Sequence, residues 1–379
     1  MDTTTTAALR AAASEVMAID DVTEGVASPY VVFLGSPPPR PDERGQGVRL
    51  RGRLLLPPDE AYNRLSQRFA LLGFTPLLRR EDEPPTRQVI LALPGQLRRA
   101  NQRLGVASLL FGLTVLSCLF AGAQMVEGLV EVNTNLLDGL PYAAALLGIL
   151  AAHEMGHYLT ARRLGAATSL PYFLPMPLGL GTFGALISMA APPRNRRHLL
   201  AIAAAGPLAG LAVAIPVLLI GLSLSRVEPL PAAGEYMMEG NSLLYAALKF
   251  LVFGQLLPAN GLDVMIHPVA FAGWAGILVT GLNLLPAGQL DGGHIVYALL
   301  GERWAQRVLW GVLVLLAGLA FFWQGWILWL FLIFLFGRMR VAPLDDVTPL
   351  TARQQVLAVA MMIVFVLVFT PVPLRIMGV

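Results

Sequence analysis

Two histidines and a glutamate lie close together in the run HEMGH at residues 153–157. Residues i and i+4 of a helix lie on one face, with Cβ atoms about 5–6 Å apart. The imidazoles of His153 and His157 could therefore share one metal ion. Glu154 follows the first histidine and is placed to act as general base toward a water molecule beside that ion. The spacing predicts a zinc site with hydrolytic chemistry.

The surroundings of this run favour function over a chance match of three letters. Leu140–Ala161 is otherwise apolar and long enough to cross a bilayer, which takes about 20 residues. Ionisable side chains within a membrane cost several kcal/mol unless they pair or bind a cation. The two histidines and Glu154 are therefore expected to form a functional site.

A zinc peptidase keeps three protein ligands and one open position. The remaining histidines of the chain are His198, His267 and His294. Asp291 is the favoured third ligand, since it lies in the run NLLPAGQLDGGH (residues 283–294), where proline and glycine break an apolar helix. Unwound backbone at membrane depth is tolerated where it is buried in protein or lines a wet cavity. We expect one Zn²⁺ per chain, held by His153, His157 and Asp291; the alternative is an interfacial aspartate that ends a helix.

Composition indicates a membrane protein with a polar head. Of the 379 residues, 56% are hydrophobic and 13% charged, against about 25% charged in soluble proteins. The first 104 residues hold 14 of the 27 basic and 12 of the 24 acidic residues. The net charge of +3 is too small to indicate a nucleic-acid partner, and the single cysteine, Cys118, excludes a disulfide framework.

The predicted fold is an α-helical polytopic membrane protein with a small N-terminal α/β cytoplasmic domain. Six to eight membrane segments are expected within residues 105–379, with the catalytic core at about 140–300. The apolar runs are Val106–Val126, Leu140–Ala161, Leu199–Leu224, Leu243–Leu257, Pro268–Leu285, Val308–Phe336 and Val356–Phe369. Val308–Phe336 is interrupted near Gln324, and a tight helical pair is favoured there over one long helix.

The first 104 residues divide into a flexible N-terminal segment (1–47) and a small α/β domain (48–104). The predicted order in the domain is strand Val48–Leu56, helix Asp59–Leu72, and strands Phe74–Arg79 and Gln88–Leu93, with Tyr30–Leu34 as an optional further strand. About 50 residues make a marginal core. Docking to the membrane body, or to a partner not identified by the sequence, is expected.

Arginines predict the orientation, because basic residues concentrate on the cytoplasmic side. Arg162 and Arg163 follow the second span, and Arg194, Arg196 and Arg197 precede the third. No secretory signal is recognisable at the start of the sequence. The predicted location is a bacterial inner membrane, with the head and active site toward the cytoplasm. His157, five residues before Arg162 and so about 7 Å from it, lies near that side, as does Asp291.

The two motifs resemble the site-2 protease family of intramembrane zinc metalloproteases. The match consists of His153-Glu154-x-x-His157 and Asn283…Pro286…Leu290-Asp291-Gly292, over residues 140 to 300. Gly288 replaces a second proline of many members. In this variant, and in the absence of an inserted PDZ-like domain, the chain resembles one branch of the family. That branch is plastid and cyanobacterial and is called the ethylene-dependent gravitropism-deficient and yellow-green proteins. The resemblance implies cleavage of transmembrane helices of membrane-protein substrates, with Asn283 holding the opened substrate strand or the oxyanion.

The segment between the ligand-bearing spans resembles the membrane-dipping strand of that family. The resemblance implies that its β-rich edge binds an unwound substrate through Gly181, Thr182, Phe183, Gly184 and Ala185. A connecting hairpin that binds nothing is the alternative. The small residues of Ala205–Gly210 are interpreted as positions for close helix packing.

Two other functions fit parts of the pattern. A metal or solute transporter also uses broken helices with polar residues, but the sequence contains no second copy of either motif. A non-catalytic scaffold that binds membrane helices would not need Glu154.

Overall fold

A computed structural model describes residues 3–26, 47–81, 87–95, 103–127, 135–176, 179–187, 191–231, 236–337 and 342–377. The optional strand at Tyr30–Leu34 lies outside these residues.

The head contains a four-stranded antiparallel sheet covered by two helices. Its elements are α1 (Thr3–Ser14), β1 (Met17–Val26), β2 (Gly47–Leu54), α2 (Pro58–Leu71), β3 (Phe74–Arg80) and β4 (Gln88–Pro94), with strand order β1-β2-β4-β3. Along β2, Val48 and Leu50 are buried while the intervening Arg49 and Arg51 lie on the other face, as strand alternation requires. The helices bury Leu9, Leu65 and Phe69 against the sheet.

The predicted strand–helix–strand–strand order of residues 48–94 is confirmed. The prediction of a flexible segment over residues 1–47 is wrong for residues 3–26, which form α1 and the edge strand β1. The physical reason is that the 48–94 unit is too small to bury its own apolar surface. Leu9, Ala13 and Val16 complete that core, each fully buried.

Besides a short 3-10 helix at Leu136–Gly139, the membrane body consists of nine α-helices and six short strands among the described residues. In chain order they are α3 (Leu104–Glu127), α4 (Leu140–Arg163), β5 (Tyr172–Pro175), β6 (Thr182–Leu186), α5 (Arg196–Ser223), β7 (Arg226–Pro229), β8 (Tyr236–Glu239), α6 (Leu243–Phe253), β9 (Leu262–Met265), α7 (Pro268–Asn283), α8 (Asp291–Leu300), α9 (Glu302–Leu319), α10 (Gly325–Phe336), α11 (Ala352–Val368) and β10 (Leu374–Met377).

Three helices of the described residues are long and apolar enough to cross a bilayer: Leu104–Met125, Leu136–Arg163 and Arg196–Ser223. Four apolar helices, α6, α7, α10 and α11, are shorter. The expected number of six to eight membrane segments therefore stays a prediction. The tight pair predicted within Val308–Phe336 is confirmed, since α9 and α10 are separate and antiparallel: Leu309, near the middle of α9, lies beside Gly337, just after α10.

Helices α4, α5 and α7 form the centre of the body. A Cβ at Gly156 of α4 would lie 2.4 Å from the Ala205 carbonyl oxygen of α5, so only glycine permits this approach. On the other side of α5, a Cβ at Gly273 of α7 would lie 2.7 Å from Leu218. Small residues at the crossings let the three backbones pack closely, as membrane helices commonly do.

The head docks at the end of the body where α4 finishes and α5 begins. Residues 344–346, between α10 and α11, lie between β3 and the segment before α5. The Leu78 amide donates to the Leu344 carbonyl (2.9 Å), and the Leu344 amide donates to the Pro193 carbonyl (2.9 Å). Leu344 is buried in the head core. Arg196, the first residue of α5, pairs with both oxygens of Asp346 at 2.7 and 3.1 Å. The expected docking of the head on the body is therefore present.

Leu344→Asp is expected to release the head from the body, because burying an unpaired carboxylate costs several kcal/mol. Hydrogen exchange in Phe74–Arg80 should accelerate by about tenfold or more, since exchange reports local opening. Leu55→Asp is the control, because Leu55 is 56% exposed in the same domain. Equal exchange rates in Leu344→Asp and the unmodified protein would contradict the docking.

Candidate active site

Helix α4 brings three polar side chains into the interior of the membrane body. His153, Glu154 and His157 lie within one and a half turns, and His153 and Glu154 are only 3% and 7% exposed. The two histidine Nε2 atoms lie 3.2 Å apart. The helical spacing therefore places the two imidazoles as predicted, with both Nε2 atoms directed to one point.

Asp291 reaches the same point from the other side of the core. Helix α7 ends at Asn283, the chain turns through residues 284–290, and α8 begins at Asp291. The predicted break of the apolar helix is thus present. The turn depends on the two following glycines, because a Cβ at Gly292 would lie 2.0 Å from the Leu284 carbonyl oxygen and one at Gly293 would lie 2.5 Å from the Gly288 oxygen.

The three predicted ligands form a nearly equilateral triangle of donor atoms. Asp291 Oδ2 lies 3.3 Å from His153 Nε2 and 3.3 Å from His157 Nε2, and the histidine atoms are 3.2 Å apart. Zinc binds nitrogen and oxygen at about 2.0–2.1 Å, which in tetrahedral geometry separates the ligand atoms by about 3.3–3.4 Å. The triangle therefore fits one face of a zinc tetrahedron, and all three residues line a cavity.

A backbone carbonyl of α5 orients His157. The His157 Nδ1 atom lies 2.7 Å from the Ile202 carbonyl oxygen, and only a protonated Nδ1 can donate to that oxygen. The unprotonated Nε2 then faces the triangle with its lone pair, which is the tautomer a metal ligand needs. Sequence reasoning missed Ile202, because a main-chain acceptor has no signature in the side-chain pattern.

Two glycines of the Ala205–Gly210 run make room for the imidazoles. A Cβ at Gly206 would lie 2.0 Å from His157 Nε2, and a Cβ at Gly210 would lie 3.1 Å from His153 Nδ1. The interpretation of this run as a helix-packing motif was incomplete. Its small residues pack α5 against α4, and they also admit the two metal-binding rings.

A cavity of about 190 Å³ opens beside the triangle. Glu154 and Asn283 both line it, and the Asn283 amide nitrogen lies 3.4 Å from His153 Nε2. Three polar side chains that the sequence did not single out as site residues line it as well: Thr168, Gln289 and His294. A carboxylate and an amide thus flank the open side of the donor cluster.

The predicted substrate-binding loop, residues 181–185, belongs to a hairpin of β5 and β6. Its five residues differ in their position relative to the catalytic cavity. Ala185 lines the cavity, together with Leu186 and Ile187, which were not predicted. Phe183 is 71% exposed. The other three residues have structural roles in the hairpin. Gly181 packs on Cys118 of α3, and the Thr182 hydroxyl donates a hydrogen bond to the Leu174 carbonyl (2.9 Å). Gly184 has a φ of +95°. Those three residues shape the hairpin.

The other two histidines considered as ligands lie elsewhere. The His267 Nδ1 atom accepts a hydrogen bond from the Val269 amide at 3.2 Å and so caps the start of α7. His198 lies in the first turn of α5, outside the donor cluster and beside the head. Neither side chain belongs to the triangle.

Asp291→Ala removes one corner of the triangle and is expected to reduce bound zinc from one per chain to a weakly held fraction. Metal analysis of purified protein after dialysis measures this loss. Asp21→Ala, on an exposed strand of the head, is the matched control and should keep one zinc. Full occupancy in Asp291→Ala would remove Asp291 from the ligand set.

Gly206→Ala tests the fit of His157 against α5. The added methyl group must displace the imidazole, and we expect zinc affinity to fall by about 10- to 100-fold, as when a supporting contact of a metal ligand is lost. Competition with a chelator measures the affinity. Gly148→Ala on α4, where a Cβ meets open space, should leave it unchanged. An unaltered affinity in Gly206→Ala would contradict the close approach.

Comparison with known proteins adds independent information. The model of peptidase family M50 matches residues 141–323, which include all three donor residues. No solved structure matches the chain.

Several curated relatives are chloroplastic. The chain is 30% identical over 344 residues to the probable zinc metalloprotease EGY2, chloroplastic, of Oryza sativa subsp. indica, covering 86% of this chain and 62% of that protein. The Arabidopsis thaliana protein of the same name is 30% identical over 345 residues, covering 88% and 61%. The probable zinc metalloprotease EGY1, chloroplastic, of Arabidopsis thaliana is 34% identical over 245 residues, covering 62% and 43%. The chain thus spans about three fifths of the length of the EGY2 relatives. Both halves of the donor cluster lie inside the matched region, so the chain is similar to peptidase family M50 over residues 141–323.

Proposed function

We propose that the protein is an intramembrane zinc endopeptidase that cleaves transmembrane helices of membrane-protein substrates. The observation that carries this proposal is the buried triangle of His153, His157 and Asp291 beside a cavity lined by Glu154. The match to the model of peptidase family M50 supports peptidase chemistry and favours neither the transporter nor the scaffold alternative.

In the proposed mechanism, His153, His157 and Asp291 would hold one Zn²⁺. Zinc bound there supplies Lewis acidity toward a peptide carbonyl and makes water a stronger acid. Glu154 takes a proton from the attacking water and delivers it to the leaving nitrogen of the scissile bond. The Asn283 amide, on the same cavity wall, donates a hydrogen bond to the substrate backbone or to the developing oxyanion. The Ile202 carbonyl keeps His157 in the tautomer that binds the metal.

The substrate must be unwound locally, because the hydrogen bonds of a helix protect its peptide groups from attack. We propose that strand β6 receives the unwound segment as an added strand. Strand β6 pairs with β5 on one side, and no other described strand pairs with it. Leu186 is 63% exposed beside the cavity, and an unpaired apolar strand edge is a ready template for strand addition.

The protein is an integral membrane protein, and we propose its domain division and orientation as well. The described residues of the range 3–95 form the head, and the described helices from Leu104 onward form the proteolytic membrane domain. The proposed orientation has the head and active site on the cytoplasmic side. The arginines at the head end of the body support it, because basic residues concentrate on that side: Arg162, Arg163, Arg194 and Arg197. A bacterial inner membrane is the proposed location.

Glu154→Gln tests the proposed chemistry. The variant keeps the size of the side chain but cannot accept the proton, so cleavage of a co-reconstituted transmembrane substrate should fall by about 10²- to 10⁴-fold. Zinc content should stay at one per chain, because Glu154 is not a ligand. Glu60→Gln, at an exposed position of the head, should retain full activity. Undiminished cleavage by Glu154→Gln would eliminate Glu154 as the base.

A further inference from the structure

A second cavity, of about 430 Å³, lies between the head and the membrane body. The head contributes α2 and the start of β3, including Ser66, Ala70 and Phe74. The body contributes residues 164–167 after α4 and the residues that lead into α5. We call this cavity the exit cleft. Its volume is within the range of sites that bind small molecules or peptide side chains, about 300–1,000 Å³.

The exit cleft adjoins the catalytic cavity, because the same two body segments line both. After α4, Ala167 lines the cleft and Thr168 lines the catalytic cavity. In the first turn of α5, His198 lines the cleft and Leu199 the catalytic cavity. A chain that leaves the donor cluster toward the head must therefore pass this wall.

The segment that separates the two cavities contains a buried polar group, the hydroxyl of Thr168. Thr168 is 7% exposed, and its hydroxyl has no hydrogen-bond partner among the described residues. A buried hydroxyl without a hydrogen-bond partner destabilises the folded protein. A polypeptide backbone that passes from one cavity to the other would offer the missing partner, whereas an apolar ligand would not.

The docked head forms one side of the exit cleft. Strand β3, residues 344–346 and the segment before α5 are joined by backbone hydrogen bonds, so the head is bound to the body along one side of the cleft. The donor cluster lies near this end of α4, since His157 is six residues before Arg163, where the helix ends. A polypeptide that extends from the donor cluster toward this end of the body would therefore reach the docked head.

The walls of the cleft indicate the chemistry of its occupant. Alanine, glycine and proline predominate on the body side, which leaves width for a backbone with small or apolar side chains. Arg194 donates hydrogen bonds to Asn63 and to the Asp59 carbonyl, and lies over the Tyr62 ring. No carboxylate of the described residues lies within ion-pair distance of Arg194, and none lines the cleft. An acidic side chain of the occupant would supply the missing counter-charge.

We propose that the exit cleft binds the substrate segment on the head side of the scissile bond. The occupant is an extended peptide with small or apolar side chains and an acidic side chain opposite Arg194, and its backbone passes Thr168. The proposal rests on the proteolytic function, and it makes the head part of the substrate-binding surface.

Filling the cleft from the head side tests the proposal on the full-length protein. Two substrates share one transmembrane segment: one keeps a head-side tail of about ten residues, which extends over about 33 Å, and the other ends shortly after the scissile bond. Ala70→Trp should slow cleavage of the long-tailed substrate by about tenfold or more, through a higher KM, and leave the short-tailed substrate unaffected. Ala11→Trp, on the exposed face of α1, is the matched control and should change neither.

Two kinetic outcomes would overturn the proposal. Equal slowing of both substrates by Ala70→Trp would indicate a general disturbance of the fold, and no slowing of either would show that the tail does not occupy the cleft. Exchange of the acidic residue of the tail for lysine should weaken binding of the long-tailed substrate, and an unchanged KM would contradict the role of Arg194.

A cross-linking experiment separates failure of this proposal from failure of the proteolytic function. The chain contains a single cysteine, Cys118, which is buried, so Ser66→Cys adds one accessible thiol in the cleft. In a Glu154→Gln background this thiol should form a disulfide with cysteines placed in the substrate tail, whereas Ala11→Cys should not. Cross-linking without cleavage by the unmodified protein would refute the protease and keep the cleft. Cleavage without cross-linking would refute the cleft alone.

Discussion

Three polar donor atoms converge on one point between α4 and the start of α8, in a part of the molecule built from apolar helices. His153 Nε2, His157 Nε2 and Asp291 Oδ2 lie within 3.3 Å of one another. Placing a carboxylate and two imidazoles there is costly without a partner of opposite charge. A cation at their centre offsets that cost, so metal binding and the packing of this core are expected to stabilise each other.

Much of the local architecture follows from holding those three atoms. Helix α7 must end at Asn283 so that the chain can turn and present Asp291 at the start of α8, where the helix dipole favours a carboxylate. Helix α5 must approach α4 closely enough for the Ile202 carbonyl to meet His157. Gly206 and Gly210 are required at that crossing because any larger side chain would occupy the space of the imidazoles.

Helix α5 also connects the site with the head. Its first turn pairs with Asp346 through Arg196, beside the strand-like junction of β3 with residues 344–346. Ile202 lies six residues later on the same helix, about 9 Å along its axis. A helix transmits displacement of one end to the other as a nearly rigid body, so head docking and the orientation of His157 share one structural element. The docked head and the active site are therefore connected through the first turns of α5.

The sequence by itself predicted the three donor residues that the structure brings together, the apolar character of the body and most of the head. Charged side chains inside an apolar run have few physical roles, and helical spacing alone puts His153 and His157 on one face. The sequence did not determine that α1 and β1 complete the head core. Their hydrophobic residues show little periodicity by themselves, and their place is set by contact with the rest of the sheet and α2. Only the tertiary structure decided that Ile202 orients His157, that Gly206 and Gly210 accommodate the rings, and that the head and body enclose a cleft beside Thr168. Main-chain acceptors, close approaches and cavities arise between segments distant in the chain, and local periodicity carries no information about them.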